Sequence, residues 1–482
     1  IAYGESQNAA MQRYDFRNGT QKSITPRAPA GAGAAGGGGG GRGGGQGNVL
    51  NVPAGAQPFR FYWNTPFEIS PHDPATVYMA GQYFFKSKDR GDTWTMHPND
   101  LTQNFDRFGA ANTIMGVGGD KPMASKHDGY GENSVSTQVR ESPSRPGVLW
   151  VGTDDGNLHV SQDGGTTFTN VFNNIPGVAG MKSAGTGAPH VQVSRIEPSH
   201  FDPATAYVAL DNHRNDDWKP YLFKTTDYGK TWTNVTANLP VKGNINALRE
   251  DPVNPALLFV GTEFNLFASL DGARTWKLFS TGLPSVRVDD ILIHPRDKDL
   301  IVGTHGRSIW IMDDITPLEQ MASPTGTGVK LFDPRPAIQW KTDLQATRRA
   351  TARQFKGENP APGTALSFWA PSDMGEAKFE VVNAQGQVVS TLTTTAKAGM
   401  NRLQWNMQAT GAAGAGGRGG AAGFAGAGGG RGGAPPSNLT AEEIAAGQAA
   451  YDKARAGAAV TGGAGGQTPV GPRGGGGGGG RG

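Results

Sequence analysis

The chain has no cysteine, which excludes disulfides, thiolate metal sites and cysteine nucleophiles together and leaves either redox compartment open. No apolar run approaches the roughly 18 residues that a membrane-spanning helix needs, so no transmembrane segment is expected. An excess of charge is missing too. With 44 Lys+Arg against 41 Asp+Glu the formal charge is +3, and no global field points to nucleic acid as a partner. The sequence has no metal-ligand string, no Gly-x-Ser-x-Gly elbow and no phosphate loop opening a helix, so neither a metal nor a cofactor is expected. Ile1 is not preceded by an initiator Met, a charged n-region or an apolar h-region; an export signal is expected upstream, with a periplasmic or extracellular location.

What the chain has in abundance is glycine, 74 residues, beside 32 prolines. Much of the glycine sits in tracts near 30–49, 410–434 and 461–482 that bury too little apolar surface to offset their ordering entropy. Arg42, Arg418, Arg431, Arg473 and Arg481 punctuate them, but Phe424 is their one aromatic, too little for the base stacking of single-strand binders. These tracts are read as flexible insertions.

A repeat organises the first two thirds. Around Pro71, Pro143, Pro198, Pro252 and Pro295 the chain passes from an apolar strand through a turn into a second strand, and a third follows a short polar loop. Four copies then close with Ser/Thr-x-Asp-x-Gly-x-Thr-Trp or a near variant: SKDRGDTW at 87–94, SQDGGTTF at 161–168, TTDYGKTW at 225–232 and SLDGARTW at 269–276. Each residue type has a physical use in a tight hairpin. The carboxylate accepts backbone N–H groups, glycine takes a positive φ, the hydroxyl makes a local bond and the aromatic plugs the sheet. Phe168 keeps the plug, and Ala273 in place of glycine predicts a milder φ at that position. The fifth copy ends in HGRSIWIMDD without such a turn.

These four turns resemble the Asp-box (BNR) repeat of sialidases, sortilin-like proteins and xyloglucanase-type propellers. The wording of the blades, including WNTPFEISPHDP, KTTDYGKTW and GTHGRSIWIMDD, looks most like the sortilin-like bacterial propellers often labelled glycosyl hydrolases. The resemblance covers residues 1–320 and extends weakly to 407. It implies an all-β chain: a partial β-propeller of five to six blades over 50–320, preceded by the outer hairpin of a further blade at 1–29 and a Gly-rich insertion at 30–49. A connector at 321–361 leads to an incomplete Ig-like β-sandwich segment at 362–407. A low-complexity tail at 408–482 holds a short helix near 441–455, with Thr440 and Glu443 as capping box.

In a four-stranded blade the loop between the second and third strands shares a face with the blade-to-blade connection, while the turn after the third strand lies on the opposite face. Asp89, Asp163, Asp227 and Asp271 are therefore read as structural. The first face carries Asp154, Asp155, His213, Arg214, Glu263, His305 and Arg307, with Glu132 added by a long insertion, and these form the candidate binding rim. Two functions fit: a scaffold binding a peptide, protein or carbohydrate at the channel mouth, or a glycoside hydrolase drawing a carboxylate pair from Asp154, Asp155, Glu263 or Glu132, which must stand about 5–10 Å apart. Arg214 and Arg307 are too few for sialidase chemistry.

Overall fold

The computed structural model describes residues 1–29, 48–104, 113–114, 117–118, 121–122, 134–181, 191–321, 328–337 and 363–409. The Gly-rich tracts (apart from residues 48–49), the helix expected near 441–455 and Glu132 lie outside them.

The described chain is nearly all antiparallel sheet. The first sheet is β1 (Ala2–Glu5), β2 (Met11–Asp15) and β3 (Thr20–Ser23), and the second is β4 (Phe67–Ile69), β5 (Val77–Ala80), β6 (Phe84–Ser87) and β7 (Thr95–Met96). A two-residue hairpin, β8 (Thr113–Ile114) and β9 (Val117–Gly118), precedes the third, which is β10 (Ser136–Glu141), β11 (Leu149–Thr153), β12 (Leu158–Ser161) and β13 (Thr169–Asn170). The fourth is β14 (Gln192–Pro198), β15 (Ala206–Asn212), β16 (Asp217–Thr225) and β17 (Thr233–Asn234), and the fifth is β18 (Ile245–Glu250), β19 (Leu258–Thr262), β20 (Leu266–Ser269) and β21 (Lys277–Leu278). The sixth holds β22 (Val288–Ile293), β23 (Leu300–Thr304) and β24 (Ile309–Met312), followed by the single-turn α1 (Thr316–Glu319). In each of these six sheets sequential strands are neighbours, and from the second sheet to the sixth the first strands of successive sheets pack on one another. This is the architecture of a β-propeller.

The period-two rule explains why the sheets stack. The second strands β5, β11, β15 and β19 are buried on both faces, so alternate side chains enter different cores. Leu149 and Val151 join Tyr78, Phe84 and Val139 on the side of the preceding sheet, whereas Trp150 joins Val193, Ile196 and Val208 on the side of the next. Tyr207 and Ala209 repeat the pattern one blade on, as does Phe259 against Val288 and Ile291. The hydrophobic glue thus lies between blades rather than within them.

The four Ser/Thr-x-Asp turns are built alike. The hydroxyl of Thr225 donates to Asp227 Oδ1 at 2.8 Å and accepts the Gly229 N–H at 2.9 Å, while Asp227 accepts the Thr231 N–H at 2.9 Å and its hydroxyl at 2.6 Å. The same bonds recur around Asp89, Asp163 and Asp271. The aromatics plug the sheets as expected: Trp94, Trp232 and Trp276 are buried, and Trp94 Nε1 donates to Ile24 O at 2.8 Å. Ala273 stays in the left-handed region at φ +70°, somewhat below the +89°, +89° and +82° of Gly91, Gly165 and Gly229. The turn's hydrogen bonds fix the backbone, and the side chain follows it into the left-handed region.

After α1 come β25 (Lys330–Leu331), β26 (Thr364–Ala370), β27 (Gly375–Val382), β28 (Val388–Ala396) and β29 (Gly399–Trp405), in two small sheets ordered β25-β26-β29 and β27-β28. Phe368, Ala370 and Ala396 form their core, with Phe379 and Leu403 packed against it. This is the segment for which an Ig-like sandwich was expected.

Candidate functional site

Three loops between second and third strands are tied to the backbone just before the first strand of their blade. Asp154 N–H donates to Val135 O at 3.0 Å, Glu263 N–H to Asn244 O at 3.1 Å, and His305 N–H to Arg287 O at 2.9 Å. These bonds hold the two sets of loops on one face, opposite the Ser/Thr-x-Asp turns.

On that face the candidate residues fall into three groups. Arg214 Nη2 donates to the Tyr62 hydroxyl at 3.0 Å across 152 positions of sequence, which brings the connection leading into β4 against the loop after β15. Asp154 and Asp155 lie beside this bridge but not at an exposed rim: they are 4% and 0% exposed. Their carboxylates turn inward because buried backbone donors need acceptors. Asp154 Oδ1 takes the Val135 N–H at 2.9 Å, and Asp155 takes the Thr153 hydroxyl at 2.6 Å and the Gln103 N–H at 2.8 Å. Burial, reinforced by the Asp155 carboxylate and opposed by Arg214, raises the Asp154 carboxyl well above the usual range.

In the second group His213 Nδ1 sits 2.7 Å from both oxygens of Asp211, and its ring lies 5.3 Å from that of Trp218. The third group is a chain of polar contacts. Asn246 Nδ2 donates to Glu263 at 3.3 Å, Arg287 Nε to Asp289 at 2.6 Å, and His305 Nδ1 lies 3.2 Å from Asp289. Arg307 is exposed, and its backbone oxygen accepts the Trp310 indole N–H at 2.9 Å.

Two features of this region escaped the sequence reading. The first is a set of exposed aromatic rings. Trp63, Trp218 and Phe264 are 52%, 45% and 43% exposed. Trp63 adjoins the Tyr62–Arg214 bridge, and Trp218 lies four residues after Arg214. Gly243 joins Trp218 to Phe264: its N–H donates to Trp218 O at 2.8 Å, and a Cβ there would stand 3.3 Å from the Phe264 ring. The rings thus follow the loop face from β4 to the loop after β19.

The second feature lines the axis. Two positions before Ser70, Ser142, Ser199 and Asp251, the first strands of four successive blades carry Glu68, Arg140, Glu197 and Arg249. Arg249 Nη1 donates to both Glu197 oxygens at 3.2 and 3.0 Å, and Arg140 lies 3.7 Å from Glu68. Arg195 adds a pair with Asp290 at 3.2 Å. Burial pushes the Glu68 carboxyl up to about 7 against the pull of Arg140, and burial does the same to Glu250, which accepts the His200 N–H. The alternation Glu, Arg, Glu, Arg at one register position was visible in the sequence once the Pro-marked turns were aligned.

Among the described residues no group of three or more His, Asp or Glu is placed to hold a metal, and no helix is long and apolar enough to cross a membrane. No family model matches the sequence. A xyloglucanase of Acetivibrio thermocellus is 28% identical over 189 residues, 36% of this chain and 21% of that protein. Solved structures similar to this chain include a GH74 enzyme of Niastella koreensis (17% identity, 64% of this chain and 51% of that one, TM-score 0.33). The GH74 xyloglucanase of Xanthomonas campestris (15%, 63% and 50%, TM-score 0.30) is another, as is YCF48 of Cyanidioschyzon merolae (11%, 59% and 91%, TM-score 0.30). The chain spans about a fifth of the curated relative and about half of the GH74 structures.

Proposed function

We propose that this is an extracytoplasmic binding propeller of Asp-box type that holds a carbohydrate chain on the loop face and does not cleave it. The observation that carries this reading is the exposure of Trp63, Trp218 and Phe264 on the same face as the Tyr62–Arg214 bridge and the His213–Asp211 pair. A flat ring in water gains by covering the C–H face of a pyranose, while neighbouring polar groups exchange hydrogen bonds with the hydroxyls at its edge. Among the described residues the axial charges Glu68, Arg140, Glu197, Arg249, Arg195 and Asp290 are paired with one another, which disfavours charge capture of a peptide or protein there. Partial similarity to a xyloglucanase supports the same ligand class.

The test is affinity electrophoresis in gels containing xyloglucan, other neutral glucans or an acidic polysaccharide. Retardation by at least one of them is expected, with about tenfold weaker retention for Trp218→Ala and for Trp63→Ala. Unretarded migration in every gel would sink the proposal.

Glycoside hydrolysis is the second reading, favoured by one observation: the raised Asp154 carboxyl is in the protonation state a general acid needs. Its burial and its bond to Val135 argue for a structural role instead. Release of reducing ends from a retained polysaccharide, abolished in Asp154→Asn, would establish hydrolysis in place of simple binding.

A further inference from the structure

Trp218 and Phe264 are held alike. Each lends its backbone oxygen to the connection that enters the next blade: the Gly243 N–H donates to Trp218 O at 2.8 Å, and the Val286 N–H to Phe264 O at 2.9 Å. The bonds from Glu263 N–H to Asn244 O and from His305 N–H to Arg287 O set Asn244 and Arg287 at equivalent positions, so Gly243 and Val286 are equivalent too. Yet the two differ. Val286 carries a β-branched side chain and has no positive φ, whereas Gly243 stands at φ +119°, which L side chains rarely adopt. The connection between blades does not by itself demand glycine.

The Phe264 ring accounts for the difference. A Cβ at Gly243 would stand 3.3 and 3.7 Å from Phe264 Cδ2 and Cε2, and 3.8 Å from Thr262 Cβ. The first separation is tighter than an ordinary carbon contact, so a side chain there displaces the ring. Phe264 has little backbone freedom to retreat, because Val286 N–H and the Ser285 hydroxyl, at 2.9 and 3.2 Å, both hold its carbonyl. Trp218 is set from its own loop, where its indole N–H donates to Asp216 at 3.3 Å and the His213 ring lies beside it. Gly243 itself is buried and offers a ligand nothing directly.

Resting on the carbohydrate reading above, we propose that Gly243 is a positioning residue of that site. It lets the Phe264 ring lie against the same backbone that anchors Trp218, so the two exposed rings form one subsite instead of two independent contacts. A sugar chain that crosses from the loop after β15 to the loop after β19 meets rings already placed, and no rotamer search by Phe264 opposes binding.

Affinity electrophoresis of the full chain in xyloglucan, or in whichever of the other gels retards it, tests the proposal below the melting temperature of every variant. Phe264→Ala and Gly243→Ala should each weaken retention about tenfold with unchanged far-UV circular dichroism. Because Gly243→Ala acts through the ring, adding it to Phe264→Ala should change retention by less than about threefold. A glycine needed only for its backbone would lower the melting temperature and leave retention as in wild type, which overturns the proposal. Equal losses from Gly243→Ala with and without the Phe264 ring overturn it too, as does a Phe264→Ala protein retained like wild type. Should Gly243→Ala fail to fold, the cycle between Trp218→Ala and Phe264→Ala decides: one subsite predicts a double variant weakened at least about threefold less than the product of the single losses, and a simple product overturns it. Wild-type retention with any of these contrary results sinks this inference alone, whereas a wild-type chain retarded in no gel sinks the carbohydrate reading and this inference with it.

Discussion

Exchanging alanine and glycine between two turns isolates the contribution of backbone geometry to blade packing. Gly229 and Ala273 occupy the same position in consecutive blades, at φ +82° and +70°, and each N–H is held by the hydroxyl that opens its turn, at 2.9 Å. A Cβ on Gly229 would lie 2.7 Å from Val171 Cγ2 and 3.0 Å from Val171 Cβ. Val171 belongs to the core shared with the preceding blade, so it has little room to move. Gly229→Ala therefore incurs roughly 1–2 kcal/mol for a side chain in the left-handed region and roughly 1–3 kcal/mol for overpacking. Lower unfolded-state entropy returns about 0.4–1 kcal/mol. The expected net loss is about 1–4.5 kcal/mol. Ala273→Gly relieves the same backbone strain but gives up a buried methyl, worth about 0.8 kcal/mol, and gains unfolded-state entropy; these offset to within about 1 kcal/mol of zero. Urea denaturation followed by tryptophan fluorescence reads both variants. A Gly229→Ala protein with a wild-type midpoint, or an Ala273→Gly protein as unstable as Gly229→Ala, would refute the reasoning that blade-to-blade packing imposes glycine here.

Two further predictions concern the charges along the axis. Glu197→Ala should cost about 3–5 kcal/mol, because it leaves the largely buried Arg249 guanidinium without its carboxylate. In a double-mutant cycle with Arg249→Ala the coupling should exceed about 1.5 kcal/mol, and simple additivity would show that the pair does not act as one. Stability should also peak in mild acid. The Glu68 and Glu250 carboxyls are raised to about 7, so the folded state binds protons that the unfolded state has released, and stability falls as pH rises from about 4.5 to 7. Asp163 is lowered to about 2 by the Thr167 hydroxyl and N–H, so its contribution is present above about pH 4 and disappears as pH falls toward 2. Melting temperatures between pH 3 and 8 should therefore pass through a maximum near pH 4–5, and Glu68→Gln should flatten the upper limb; a maximum above pH 7 would contradict both assignments.

Strands and turns were legible because they are local. Residues such as Leu149, Trp150 and Val151 declare a strand buried on both faces, and Ser161 with Asp163 and Thr167 declares a hairpin, since each bond spans four residues or fewer. The inward turn of Asp154 and Asp155 was not legible. It depends on Val135 and Gln103, donors 19 and 52 positions away, and a polar loop reads the same whether its carboxylates face water or backbone. That Ala273 keeps a positive φ at all follows from the turn: sequence reports a residue's preference, whereas the hydrogen bond from its N–H to Ser269 Oγ decides its backbone. Trp63, Trp218 and Phe264 stood in the loops but belong to three different blades, so only the stacking of blades shows that they share a face.

That stacking also explains why the two faces can serve different ends. On one face every Asp carboxylate of the repeated turns is committed to its own hydrogen bonds, and those turns support the aromatics that wedge one blade against the next. Changing them disturbs the seams. Along the axis, Glu68 with Arg140, Glu197 with Arg249 and Arg195 with Asp290 pair with one another, so these charges are compensated within the wall. The remaining face has side chains that lie outside the apolar seams: rings of large area, a hydroxyl–guanidinium bridge and imidazoles beside carboxylates. Selection can vary those loops without endangering the blades, because the bonds that position them, such as Glu263 N–H to Asn244 O, are made by backbone and do not depend on side-chain identity. On the proposed reading, a ligand held there is recognised by ring contact and hydrogen-bonding geometry more than by charge, as a neutral polyhydroxylated chain would be.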